Sequence, residues 1–143
     1  MPAPPDPPDE TWLIRGIPLG GLKDDRFSSG FWNFDDGISI WLINPDTVKF
    51  ILNREPPPLH MQAINAGQCR ALGAVISPEP ADETDAPDGH HLIDLASLSK
   101  SQRKKVGEGL RNLAVKASVP VTEGVGPEEF VQRLLAAIDN PKN

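Results

Sequence analysis

"FWNFDDGISIWLINPDTVKFILN", residues 31–53, decides the fold class, because a strand signal and a helix signal stand back to back in it. Its two apolar runs, 31–34 and 38–43, are rich in aromatic and β-branched residues. Asp35, Asp36 and Gly37 separate them, and a short link containing glycine predicts a β-hairpin. Asn44 then offers a side-chain oxygen as a helix cap, Pro45 suits the first helical position, and Asp46 suits the positive end of the helix dipole. Val48, Ile51 and Leu52 recur at helical spacing, so the pattern predicts a short helix over 45–53 with one apolar face. Consecutive prolines in "REPPPL" (54–59) end it.

Upstream, "TWLIRGIPL" (11–19) predicts a strand over 11–17, with Pro18 at a strand end or edge because it has no amide proton. "GGLKDDRFSSG" (20–30) reads as a loop. Downstream, "HMQAINAG" (60–67) reads as one or two helical turns closed by Gly67, "CRALGAVIS" (69–77) as a buried strand over 69–76, and "HHLIDL" as a strand over 91–95. The last third is helical by pattern. Ser99 or Ser101 caps a helix whose stripe is Val106, Leu110, Leu113, Ala114 and Ala117. After a break at "SVPVTEGVGP", a final helix following Pro127 carries Phe130, Val131, Leu134, Leu135 and Ile138 on one side. Hairpins mixed with helices, without regular βαβ alternation, predict an α+β fold: a small mixed or antiparallel sheet with helices packed on one face and the last third helical.

The 143 residues fit one globular domain over 11–143, preceded by a disordered Pro-rich tail at 1–10. The net charge is −6, but eight of the 20 acids lie in residues 1–10 and in the Pro-rich stretch 78–89, which is expected to be an exposed acidic loop. Setting those aside leaves 12 acids against 14 bases, so the low pI says little about the folded surface. No apolar run approaches the length of a membrane span. The start has neither a basic nor an apolar signal region, and Cys69 is the only cysteine. The expectation is a cytoplasmic protein with no membrane partner, no disulfide and no cofactor. "GIPLGG" (16–21) has neither the lysine of a phosphate-binding P-loop nor the glycine spacing of a dinucleotide fold.

Three constellations compete for function. "DGHHLID" (88–94) holds adjacent histidines, but strand geometry sends His90 and His91 to opposite faces, so they cannot share one centre. The remaining candidate ligands lack the paired spacing of a structural zinc site, and no metal is expected. If the protein is an enzyme of the nuclease or nucleotidyl-modifying toxin type, His91 or His60 would move protons while Arg15 and Arg26 stabilise phosphate charge. The basic run 100–111 places Lys100, Lys104 and Arg111 on one side of a helix with Arg103 beside them, a face that could neutralise nucleic-acid phosphates. Six of the eight aromatic residues fall within the first 41 positions. Trp12, Phe31, Trp32, Phe34 and Trp41, with Asp35 and Asp36 among them, have the composition of a protein-binding hot spot. The leading expectation is a protein-interaction module of regulatory, adaptor or immunity type, binding another protein through this aromatic-rich hairpin.

Overall fold

A computed structural model describes residues 6–18, 22–23, 26–27, 38–54, 57–79 and 86–141. Six strands form one antiparallel sheet. They are β1 (Trp12–Ile17), β4 (Ile38–Leu42), β5 (His60–Asn65), β6 (Val75–Pro78), β7 (His90–Asp94) and β8 (Ser118–Pro120), in the order β6-β7-β4-β1-β5-β8. Within the expected loop 20–30, β2 (Leu22–Lys23) and β3 (Arg26–Phe27) pair as a separate two-stranded ribbon. The helices are α1 (Pro45–Leu52), α2 (Ala66–Ala71), α3 (Lys100–Lys116) and α4 (Pro127–Asp139). The α+β class holds, and no helix among the described residues is long and apolar enough to cross a membrane.

The helices divide between both faces of the sheet, which corrects the expectation of one covered face. Along β1 the side chains alternate. Leu13 and Ile17 join α2 and α3 through Cys69, Val106, Leu110 and Ala114, while Ile14 joins α1 and α4 through Val48, Ile51, Phe130 and Leu134. The connections explain the division. β4–α1–β5, β5–α2–β6 and β7–α3–β8 each join parallel strands across intervening ones. The second runs the opposite way across the sheet from the first along strands of the same direction. The third runs the same way as the first along strands of opposite direction. A single shared hand of crossover therefore puts α1 on one face and both α2 and α3 on the other.

Locally, α1 and α3 follow the sequence. Asn44 accepts from the Thr47 amide (2.9 Å) while the Thr47 hydroxyl accepts from the Asn44 amide (3.2 Å), and Ser99 with Gln102 repeats this reciprocal cap on α3. The segment 60–77 does not follow it. The expected helical turns at 60–67 are the strand β5, and the expected strand over 69–76 is α2, a turn, and the shorter β6. Met61 and Ala63 on one face and Ile64 on the other lie under both helix layers, a setting that overrides weak local helical preference. Gly67 does not close this helix; it sits in the first turn of α2, pressed against Asp9. The described part of the expected tail is also anchored. Pro7 is buried, the Gly67 amide donates to the Asp9 carbonyl (2.9 Å), and Arg70 bonds the Asp9 carboxylate at 2.7 Å. Of the stretch 78–89, Pro78 belongs to β6, Ala86 packs against the α1/α4 core, and 80–85 lie outside the described residues.

Both edge strands carry a proline where it matters. On β6 the Glu79 amide donates to the His90 carbonyl (3.0 Å), so in that register Ile76 and Pro78 turn their backbone groups outward. On β8 the Val121 amide donates to the Leu59 carbonyl (2.8 Å), so Ser118 and Pro120 face outward. A proline at an outward position has no N–H to offer another strand, which blunts each edge against pairing with a second chain.

Candidate functional site

Strand register brings polar side chains into a row on the α2/α3 face. Arg15 stands opposite Gln62, Gln62 opposite Ser118, and Ile40 opposite His91. Carrying the β1–β4 pairing of Ile14 with Trp41 one pair further sets Arg15 opposite Ile40. The row then reads His91, Ile40, Arg15, Gln62, Ser118 across five strands. His60 occupies the neighbouring pair, opposite Ile17 and Pro120 and diagonal to Arg15. Two of the residues predicted for acid-base or phosphate work, Arg15 and His60, are therefore neighbours. His91 shares their face but lies two strands from Arg15, about 10 Å away at ordinary strand spacing, with Ile40 between. It is 6% exposed, and its Nδ1–H donates to the Gly89 carbonyl at 2.9 Å.

Arg15 is the unusual member of the row. Burial, and then the like charge of Arg54, push its guanidinium down to about 10. Arg54 follows α1, is itself exposed, and rests over the Phe50 ring at 5.2 Å. The two positive groups thus act on one another near the end of the sheet where His60 begins β5.

Gln62 is the second unusual member. It is 0% exposed, its Nε2 donates to the Ser118 hydroxyl at 3.2 Å, and its Oε1 has no hydrogen-bond partner. Exchanging the two ends of the amide would move the deficit to Nε2 without removing it. A buried polar group left in this state costs about 1–3 kcal/mol.

The other predicted residues are placed elsewhere. His90 points to the α1/α4 face, where its ring lies 4.6 Å from that of Trp41 and its Nδ1–H donates to the Glu79 carbonyl at 3.0 Å. Trp41 is 3% exposed and packs on Phe50, so it is a core residue and offers no surface to a partner. Trp12 is half-buried against the same cluster. Phe31, Trp32, Phe34, Asp35 and Asp36, the first arm and turn of the expected hairpin, lie outside the described residues. The strand that would be its second arm, β4, pairs with β1 and β7. Arg26 is in β3, and the description does not extend to its side chain. On α3, Lys100 and Lys104 are exposed, whereas Arg103 donates to the Leu98 carbonyl (3.2 Å) and Arg111 to the Asn112 side chain (2.9 Å), so both arginines are engaged by the protein itself.

The sequence reading missed Gln62, Ser118 and Arg54. The alternation in "HMQAIN" was the available signal, since a strand there puts His60 and Gln62 on one face; reading it as helical turns hid the pairing. Among the described residues no three His, Cys, Asp or Glu side chains gather as a metal site would need. Comparison with family models, curated proteins and solved structures finds no match to this chain.

Proposed function

We propose that this protein binds a phosphate monoester at the Arg15–His60 end of the sheet, on the α2/α3 face, with Arg15 supplying positive charge and His60 beside it. The observation that supports this reading is the convergence of Arg15, His60 and Gln62 on one covered face, neighbours across the β1–β5 pair. A desolvated guanidinium bonds an oxyanion more strongly than one in water, and its fork matches two phosphate oxygens. The histidine that fits the enzyme reading is then His60 rather than His91.

Inorganic phosphate should raise the melting temperature at low ionic strength, and Arg15→Met should remove that shift. A wild-type chain whose melting is unmoved by millimolar phosphate, or an Arg15→Met chain that responds equally, would sink the proposal.

The interaction-module reading keeps one supporting observation. Among the described residues, Val75 of β6 is 52% exposed and Ser39 of β4 is also exposed on the α1/α4 face, whereas Trp41 of β4 is covered by Phe50 of α1. In the sequence the aromatic segment 31–34 ends three residues before β4 begins. Trp32→Ala is the informative variant for protein binding, because Trp41→Ala would act through the core.

A further inference from the structure

The proposed phosphate site leaves one polar group unused. Gln62 lies directly across the β1–β5 pair from Arg15, fully buried, with one end of its amide on Ser118 and the other end unpartnered. A glutamine serving only packing would be better replaced by leucine or methionine, which fill similar volume without a polar group to satisfy. A buried polar group with no partner in the folded chain calls for an explanation, and a ligand that completes it supplies one. Arg15 is purely a donor, so it takes the anionic oxygens; Gln62 Oε1 is purely an acceptor, so it takes an O–H or N–H.

Resting on the phosphate-binding reading above, we propose that Gln62, oriented by Ser118, is the specificity residue of this site, and that the ligand is an organic phosphate carrying a hydroxyl or amide donor close to its phosphate. Without ligand the chain keeps Gln62 at a cost in stability. With ligand, the donor fills the vacant acceptor while Arg15 holds the anion. An analogue lacking the donor leaves the acceptor buried and unpaired, which is a stronger source of discrimination than a change of size.

The test uses three probes by titration calorimetry: inorganic phosphate, n-propyl phosphate, and glycerol 1-phosphate, which differs from the second by its hydroxyls. Wild type should bind glycerol 1-phosphate at least tenfold more tightly than propyl phosphate. Gln62→Leu should melt at a higher temperature than wild type without ligand, bind propyl phosphate as well as wild type does, and lose the preference. A Gln62→Leu chain that melts lower or does not fold shows that the amide is structural and overturns the inference. So does equal affinity of wild type for the two esters, or a preference that survives in the variant. Failure of all three probes to bind wild type overturns the phosphate reading itself, and this inference with it.

Discussion

The two faces of one sheet are built on different rules. Under α1 and α4 the buried strand positions Ile14, Met61, Ala63 and Val119 meet Val48, Ile51, Phe130 and Leu134, and buried Thr47 of α1 is hydrogen-bonded at the helix cap. Under α2 and α3 the same strands carry an apolar core broken by the row of Arg15, Gln62 and Ser118. The first face gains from every contact it makes. The second accepts a desolvated cation and an unsatisfied amide, costs that a purely structural layer would avoid. The contrast puts the proposed site, in a fold without a recognisable motif, on the face that departs from good packing.

Phe130→Ala should show the largest effect. It empties a fully buried site between α4 and the sheet and should cost about 3–5 kcal/mol in denaturant titration. Gln62→Leu on the other face should go the opposite way; both substitutions lowering stability would erase the contrast.

Two glycines sharpen it further. A Cβ on Gly16 would lie 2.8 Å from Ile51 Cγ2 and 3.1 Å from the Pro58 ring, and neither rigid group can retreat from the α1 face. Gly16→Ala should therefore cost about 1–3 kcal/mol. A Cβ on Gly109 would meet only the tip of Leu72, 2.9 Å away but on a side chain 38% exposed and able to swing outward. Gly109→Ala should be neutral or stabilising by up to about 1 kcal/mol, because alanine is the better helix former.

The edges offer a third comparison, read as association rather than stability. Replacing Pro78 and Pro120 together by threonine restores an outward N–H on each edge, and sedimentation should then show concentration-dependent self-association absent from the parent chain. A variant that stays as dispersed as the parent would mean that the prolines do not protect the edges.

The smallest effect concerns Cys69 on the α2/α3 face, whose thiol burial pushes up to about 12, Arg70 opposing only in part. The folded-state value lies above the unfolded one, so the protonated thiol favours the fold. That contribution is whole below about pH 9 and is lost as pH climbs towards 12. Cys69→Ala should flatten this part of the alkaline stability curve, and the wild-type thiol should resist labelling at pH 8 until the chain is unfolded.

Much of the fold was legible locally. The caps at Asn44 and Ser99, the proline starts of α1 and α4 and the alternation in β1 lie within a few residues of the structure they specify, so pattern alone finds them. The segment 60–77 was not legible, because its short apolar runs fit helix or strand equally well. What made 60–65 a strand was hydrogen bonding to β1, more than 40 residues earlier, and to β8, more than 50 later. The candidate site failed to show for the same reason. Arg15, Gln62 and Ser118 are far apart in the chain and belong to no motif.

By itself the sequence determined the α+β class, the helices with their own caps, and the incompatibility of His90 and His91 in one centre, since each follows from side-chain period or local hydrogen bonding. Tertiary structure alone decided that helices lie on both faces, that prolines fall at the outward positions of both edges, and that Arg15 stands opposite Gln62 and diagonal to His60. The crossover connections set the first and register between distant strands sets the other two, and both are properties of the assembled sheet.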